Sequence, residues 1–200
     1  MVPRFVGPVR ALLPSTIPHV FHDSKRGQGV DAPHSAHNAG VTLTFEPAET
    51  VLPRARGVLR RERARLRRLA PGSHLVLTGG SSLAGALTGG DIDLHLRVRP
   101  EPFARVVAGL IGPYDPVHRD IWSRSLATFA LPGSEAGGIA VTPIDSEHDL
   151  RFRRAWERLR TDPAALESHN ALKRRHEGGD AGKYLAAKSR FFDGLVKDAG

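Results

Sequence analysis

Apolar and polar residues alternate strictly from Asp91 to Val98, with Ile92, Leu94, Leu96 and Val98 in one set and Asp91, Asp93, His95 and Arg97 in the other. A period of two over eight residues predicts a β-strand with one buried face and one polar face. Leu75–Thr78 is a shorter apolar run and predicts a second strand. Val41–Glu46 (VTLTFE), Ser125–Leu131 and Gly138–Ile144 predict three more, the last two joined by the turn residues Pro132-Gly133-Ser134. From about Ala48 to Ala70 the period changes: Leu52, Ala55, Leu59, Leu66 and Leu69 recur at helical spacing, and Pro71-Gly72 ends the helix. A short helix is expected over Pro102–Leu110. Three more follow at the C-terminal end, from Glu147 to Arg160, Pro163 to His176 and Ala181 to Lys197. Thr161-Asp162-Pro163 supplies an N-cap followed by proline at the first helical position. Residues 1–40 show neither period and are rich in Pro, Gly, His and Ser, so they read as a flexible or loosely packed arm before a folded region over 41–200. The expected class is α+β: a small mixed sheet with flanking helices, then a helical C-terminal region.

Composition alters this picture little. At 200 residues the chain suits one domain with an appendage. No apolar run is long enough to span a bilayer, which argues against an integral membrane protein. Prolines break up the first residues, MVPRFVGPVRALLP, so a signal peptide is not expected. The absence of cysteine removes disulfides and thiolate metal sites and fits a cytoplasmic location. The net charge of +8 is carried chiefly by arginine and would attract phosphate-bearing partners. GC-rich codon usage explains an arginine excess equally well, so charge alone does not choose a function.

Candidate chemistry is concentrated between Leu75 and Val98. Asp91 and Asp93 point the same way from one strand, with Cβ atoms about 6–7 Å apart. Two carboxylates so placed repel unless a cation lies between them, and Mg²⁺ is commonly held by one or two carboxylates plus substrate phosphates. Upstream, Gly80-Ser81-Ser82 opens a helical turn whose free backbone N–H groups suit a phosphate. Asp-x-Asp by itself is better explained by solvated aspartates on an edge strand. With the Gly-Ser turn at this distance, a metal and phosphate site becomes the stronger reading.

GSSLAG followed by GDIDL resembles the signature of the DNA polymerase beta-like nucleotidyltransferase superfamily. The resemblance implies that Asp91 and Asp93 bind one or two Mg²⁺ ions and that Gly80, Ser81 and Ser82 hold the nucleotide phosphates. It also implies a third carboxylate from a later strand. The expected late strand, Gly-Ile-Ala-Val-Thr, contains no acid; the nearest candidate is Asp145, with Asp120 and Glu147 behind it. The C-terminal stretch is similar to the GrpB family, which belongs to the same fold group. Leu172-Lys173, Asp180, Tyr184, Ala187-Lys188 and Phe191-Phe192 carry that likeness. It departs in having Gly-Ser-Ser for Gly-Ser-Thr and in lacking a Lys-Pro before the aspartates. It implies that Lys173, Tyr184 and Lys188 contribute to phosphate binding; the alternative is that the tyrosine packs on the sheet and the lysine stem covers it.

Other residues are weighed singly. His95 shares the face of the aspartates and is expected to be hydrogen-bonded more than to be a ligand. His19, His22, His34 and His37 have weak metal-like spacing. The helix from Pro53 to Leu69 carries eight arginines, which either solvate its outer face or grip nucleic acid. Trp122 and Trp156 are expected to anchor the core. The function expected first is Mg²⁺-dependent transfer of a nucleoside monophosphate from an NTP to an unidentified acceptor. A non-catalytic nucleotide- or phosphometabolite-binding protein, and a basic RNA-associated protein, are the alternatives.

Overall fold

The computed structural model describes residues 42–197, so the expected arm and its four histidines lie outside the described residues. In chain order the elements are β1 (Glu46–Pro47), α1 (Ala48–Leu69), β2 (His74–Thr78), β3 (Leu87–Thr88), β4 (Ile92–Val98) and α2 (Phe103–Leu110). They continue with β5 (Ala127–Ala130), β6 (Gly137–Pro143), α3 (Glu147–Thr161), α4 (Pro163–His176) and α5 (Ala181–Lys197). Single 3₁₀ turns cover Gly80–Ser82 and Arg119–Ile121. The fold is α+β, as the alternation of periods implies.

Four strands form the main sheet in the order β2-β4-β6-β5, while β1 and β3 pair separately. The strand with the strictest alternation, β4, lies inside the sheet, antiparallel to β2 and parallel to β6. Its apolar set (Ile92, Leu94, Leu96 and Val98) packs on Val51, Ala55, Val58 and Leu66 of α1 and on Phe103, Val106 and Leu110 of α2. The buried positions of α1 fall on one stripe and its arginines point away from it. Glu62 is the exception in that stripe; its carboxylate accepts the Tyr114 hydroxyl at 2.5 Å.

The polar face of β4 is covered by α3, α4 and α5, which leave Asp91, Asp93 and His95 buried. One expectation is corrected. Val41–Glu46 is not a strand: its described part pairs only from Glu46. Leu43 and Phe45 alternate because one side packs against Ala181 and Tyr184 of α5. Meanwhile the Leu43 carbonyl accepts the Gly178 N–H at 2.8 Å.

Helix ends follow their signals. Asp162 accepts the backbone N–H groups of Ala164 and Ala165 at 3.0 and 3.2 Å, starting α4 at Pro163. Trp156 is buried between α3 and α5, and Trp122 packs half-buried against the core. At the start of β6, Gly137 has φ +143°, and a Cβ there would stand 1.9 Å from the Ile92 carbonyl oxygen. Only glycine allows β6 to lie this close to β4, and that pairing sets Asp93 opposite Gly138.

Candidate active site

The Gly-Ser turn leaves β2 through Gly79 at φ 75° and is held from inside. Ser81 Oγ donates to the Asp91 carbonyl at 2.6 Å and lies 2.8 Å from Thr88 Oγ1. Ser82 Oγ donates to the Gly79 carbonyl at 2.7 Å. Ser81 therefore fastens the turn to the loop that carries Asp91, and Ser82 closes the turn on itself. On the helix side, Asn170 of α4 accepts the Leu87 N–H and donates to the Gly85 carbonyl, both at 2.8 Å. Lys173 Nζ donates to the Leu87 carbonyl. A Cβ on Gly80 would meet that ammonium at 2.9 Å and Leu87 O at 3.0 Å. A side chain at 80 would thus displace the Lys173 ammonium and crowd the Leu87 carbonyl.

Around this turn the fold gathers the residues singled out at long range. Asp91 and Asp93, Lys173 from the last turn of α4, and Tyr184 and Lys188 one turn apart on α5 are all buried. His169, one turn before Lys173, is fully enclosed. It is ringed by Trp156, Phe191 and Phe192, and neither of its ring nitrogens has a hydrogen-bond partner.

Burial dominates the electrostatics. It pushes the Asp93 carboxyl well above its ordinary value, as does the Asp91 charge, while Lys188 and Lys173 act in the opposite sense. Burial and the Lys188 charge bring Lys173 down to about 7, against the pull of both aspartates. Lys188 is lowered by burial and raised by Asp93 and Asp91. Burial, then the two lysines, hold His169 neutral. Burial and then both aspartates raise the Tyr184 hydroxyl, so it stays protonated. Two acids and two bases therefore share one buried space. Yet no ion pair joins Asp93 to Lys188, and neither Asp93 Oδ2 nor Lys188 Nζ has a hydrogen-bond partner among the described residues.

The third carboxylate is not supplied where the resemblance implied. Asp145 lies in the turn beyond the far end of β6, whose last residue, Pro143, is already about 17 Å along the strand from the Gly138 that faces Asp93. Its side chain is 71% exposed and pairs with Arg153 at 3.5 Å. Asp120 is exposed on the turn beside β5, and Glu147 is exposed in the first turn of α3. Among the described residues, no three His, Cys, Asp or Glu side chains are grouped to hold an ion. His95 belongs to the core. Its Nε2 lies 2.7 Å from Thr142 Oγ1, and burial lowers its pKa to about 4 despite Asp149 at 3.7 Å. Asp149 takes both Arg97 donors, at 2.5 and 2.8 Å.

Sequence reading missed Asn170, His169 and Asp149. The signal for the first two was a polar stripe on α4, at positions 169, 170 and 173, where an amphipathic helix would bury apolar residues.

No family model matches the chain, and no curated protein matches it. Among solved structures it is similar to GrpB from Enterococcus faecalis at 15% identity and a TM-score of 0.60, covering 78% of this chain and 99% of that one. A MgGTP-bound Cid1 poly(U) polymerase overlaps at 15% identity and a TM-score of 0.43, over 61% of this chain but 41% of that one. This chain thus spans less than half of Cid1, and that overlap carries no argument here. The residue likeness to GrpB in the C-terminal helices is matched by a likeness of fold, and the described chain has the fold of GrpB from Enterococcus faecalis.

Proposed function

We propose that the chain binds an Mg²⁺–nucleoside triphosphate at the Asp91–Asp93 pair and transfers the nucleoside monophosphate to an acceptor hydroxyl. One observation carries this reading: a buried carboxylate oxygen and a buried ammonium share one site, and neither has a hydrogen-bond partner among the described residues. Buried charges without partners are costly, and a ligand bearing a cation and an anion together satisfies both. Mg²⁺ on a polyphosphate is such a ligand.

The donor set suits one ion, since two carboxylates and the phosphates themselves suffice for it. Asp91 and Asp93 would hold it. When bound, Mg²⁺ supplies neutralising charge on the phosphate oxygens and orients the triphosphate. Lys188 Nζ contacts a phosphate oxygen, and Lys173, already committed to Leu87, adds positive charge behind the turn. The acceptor oxygen bonds to the α-phosphorus while the bond from that phosphorus to the bridging oxygen breaks. Pyrophosphate leaves and takes up the hydroxyl proton, while Asp91 and Asp93 stay ionised. Among the described residues no helix is long and apolar enough to cross a membrane, and the reading places the protein with the nucleotides of the cytoplasm.

The test is a thermal shift with each NTP, with and without Mg²⁺, alongside a pyrophosphate assay. Saturating Mg²⁺–NTP at 100 times Kd should stabilise the parent by about 2.7 kcal/mol. Asp93→Asn should abolish that gain, and Lys188→Met should weaken affinity by roughly tenfold or more. If Asp93→Asn binds Mg²⁺–NTP as the parent does, the reading fails. A second reading, binding without turnover, is favoured by the lack of a group of three His, Cys, Asp or Glu side chains among the described residues; it predicts the same shift with no pyrophosphate released.

A further inference from the structure

β2 is an open edge of the four-stranded sheet, and arginine lines the surfaces on both of its sides. On the face that carries Asp93, a groove of about 630 Å³ runs between β2 and α3. Val76, Thr78 and His95 line the sheet side of this groove, and Arg153, Arg154, Arg158 and Arg160 line the helix side. On the opposite face a second groove, also about 630 Å³, lies between β2 and α1 and is lined by Arg60, Arg63 and Arg67. Val76 borders both, so the two grooves meet across the strand's edge.

In the α3 groove Arg153, Arg158 and Arg160 pair with Asp145, Asp162 and Glu157, while the α1 groove is lined by arginine with no acid among its lining residues. Arg60, Arg67 and Arg154 are exposed and make no ion pair among the described residues. The edge itself is closed to another β-strand. Arg63 donates twice to the outward carbonyl of Leu75, at 3.1 and 3.0 Å, where an added strand would have to pair. The surface therefore suits neither a peptide strand nor a second copy of the sheet. Phe152, Trp156 and His95 in the α3 groove are buried, which leaves His74 of the α1 groove as the exposed ring among the lining residues.

We propose that these two grooves bind the sugar–phosphate backbone of a single-stranded nucleic acid, without preference for base. A positively charged groove that tracks a backbone is the electrostatic half of single-strand recognition. A flexible strand can pass from one groove over the edge into the other, whereas a duplex, stiff over about 150 base pairs, cannot follow that bend. Thr78, at one end of the α3 groove, sits directly opposite Asp93. A strand lying there ends beside the aspartate pair; its role as the acceptor rests on the function proposed above, while its binding does not.

The test is fluorescence anisotropy of the full chain with short oligouridylate, oligoadenylate and a duplex of equal length, over rising salt. The two single strands should bind within about threefold of each other and above the duplex. The slope of log K against log salt should be about −2 to −4, from three to five phosphates at roughly 0.7 each. Arg67→Gln/Arg154→Gln, both on exposed positions, should flatten the slope by about 1.4 with an unchanged melting temperature. A double variant that binds like the parent overturns the proposal, and so does a slope near zero or tighter binding of duplex. Asp93→Asn should keep oligonucleotide binding. If Mg²⁺–NTP binding fails while the arginine-dependent binding holds, the active-site reading falls and the groove stands; the reverse pattern removes the groove alone.

Discussion

His95 and Asp93 share one face of β4, yet the fold treats them differently. His95 has Thr142 to bond with, and burial holds it neutral, with its pKa down at about 4. In the unfolded chain the same ring takes a proton near pH 6.5. Between pH 6.5 and 4 the unfolded state therefore binds more protons, and stability falls as pH falls through that window. The loss amounts to about 3 kcal/mol, from a depression of roughly 2.5 pH units at 1.36 kcal/mol each. His95→Gln should remove most of this slope in urea titrations at pH 4, 5 and 6.5. An unchanged slope would place the acid sensitivity elsewhere, with His169 the next group to test. Asp93, by contrast, has Oδ2 without a partner. The two residues were indistinguishable in the alternation of polar and apolar positions, because a period of two records which face a side chain takes and not what covers that face.

At the scale of elements, α1, α2 and the three C-terminal helices could be read from the chain to within a few residues, from apolar stripes in α1, α2, α3 and α5 and from the Asp162-Pro163 start signal in α4. The segment before β1 could not. Leu43 and Phe45 alternate as a strand does, but their partners are the last helix and Lys173, more than a hundred residues away. Sheet register depends on one glycine. Gly137→Ala should destabilise the fold by several kcal/mol, since the added carbon meets the Ile92 backbone, which cannot move aside without breaking the β4–β6 pairing. Denaturant unfolding measures this directly, and a cost below about 1 kcal/mol would show that the two strands are not held in this register. Because Asp93 lies opposite Gly138, the same variant should also lose Mg²⁺–NTP stabilisation.

Over the whole molecule, the site exists because the chain returns. α4 and α5 are the last two elements, and they bring Lys173, Tyr184 and Lys188 onto a strand formed nearly a hundred residues earlier. α5 also supplies Phe192 to the cluster of Trp156 and Leu159, and Ala181 and Tyr184 to that of Leu43. Ending the chain after Asp180 should therefore uncover both clusters. The truncated protein should bind a hydrophobic dye and lose its cooperative thermal transition; a sharp transition retained near the parent's midpoint would show that α5 is peripheral.

The sequence by itself determined the local structure and the choice of residues. Periods of two and 3.6, caps and breakers specify strands and helices within short windows, and Gly80-Ser81 with Asp91-Ile92-Asp93 marked the turn and the pair because their spacing is local. Tertiary structure alone decided what surrounds them. It buried the polar face of β4, spent both serine hydroxyls on the turn, and set two lysines against the aspartates. It also carried Asp145 to the opposite end of the sheet, although Asp145 follows the expected strand closely in sequence. A parallel neighbour runs in the same direction as β4, so a residue after its end moves away from the start of β4, where the aspartates lie. Strand direction is a property of the sheet, and no window of sequence contains it.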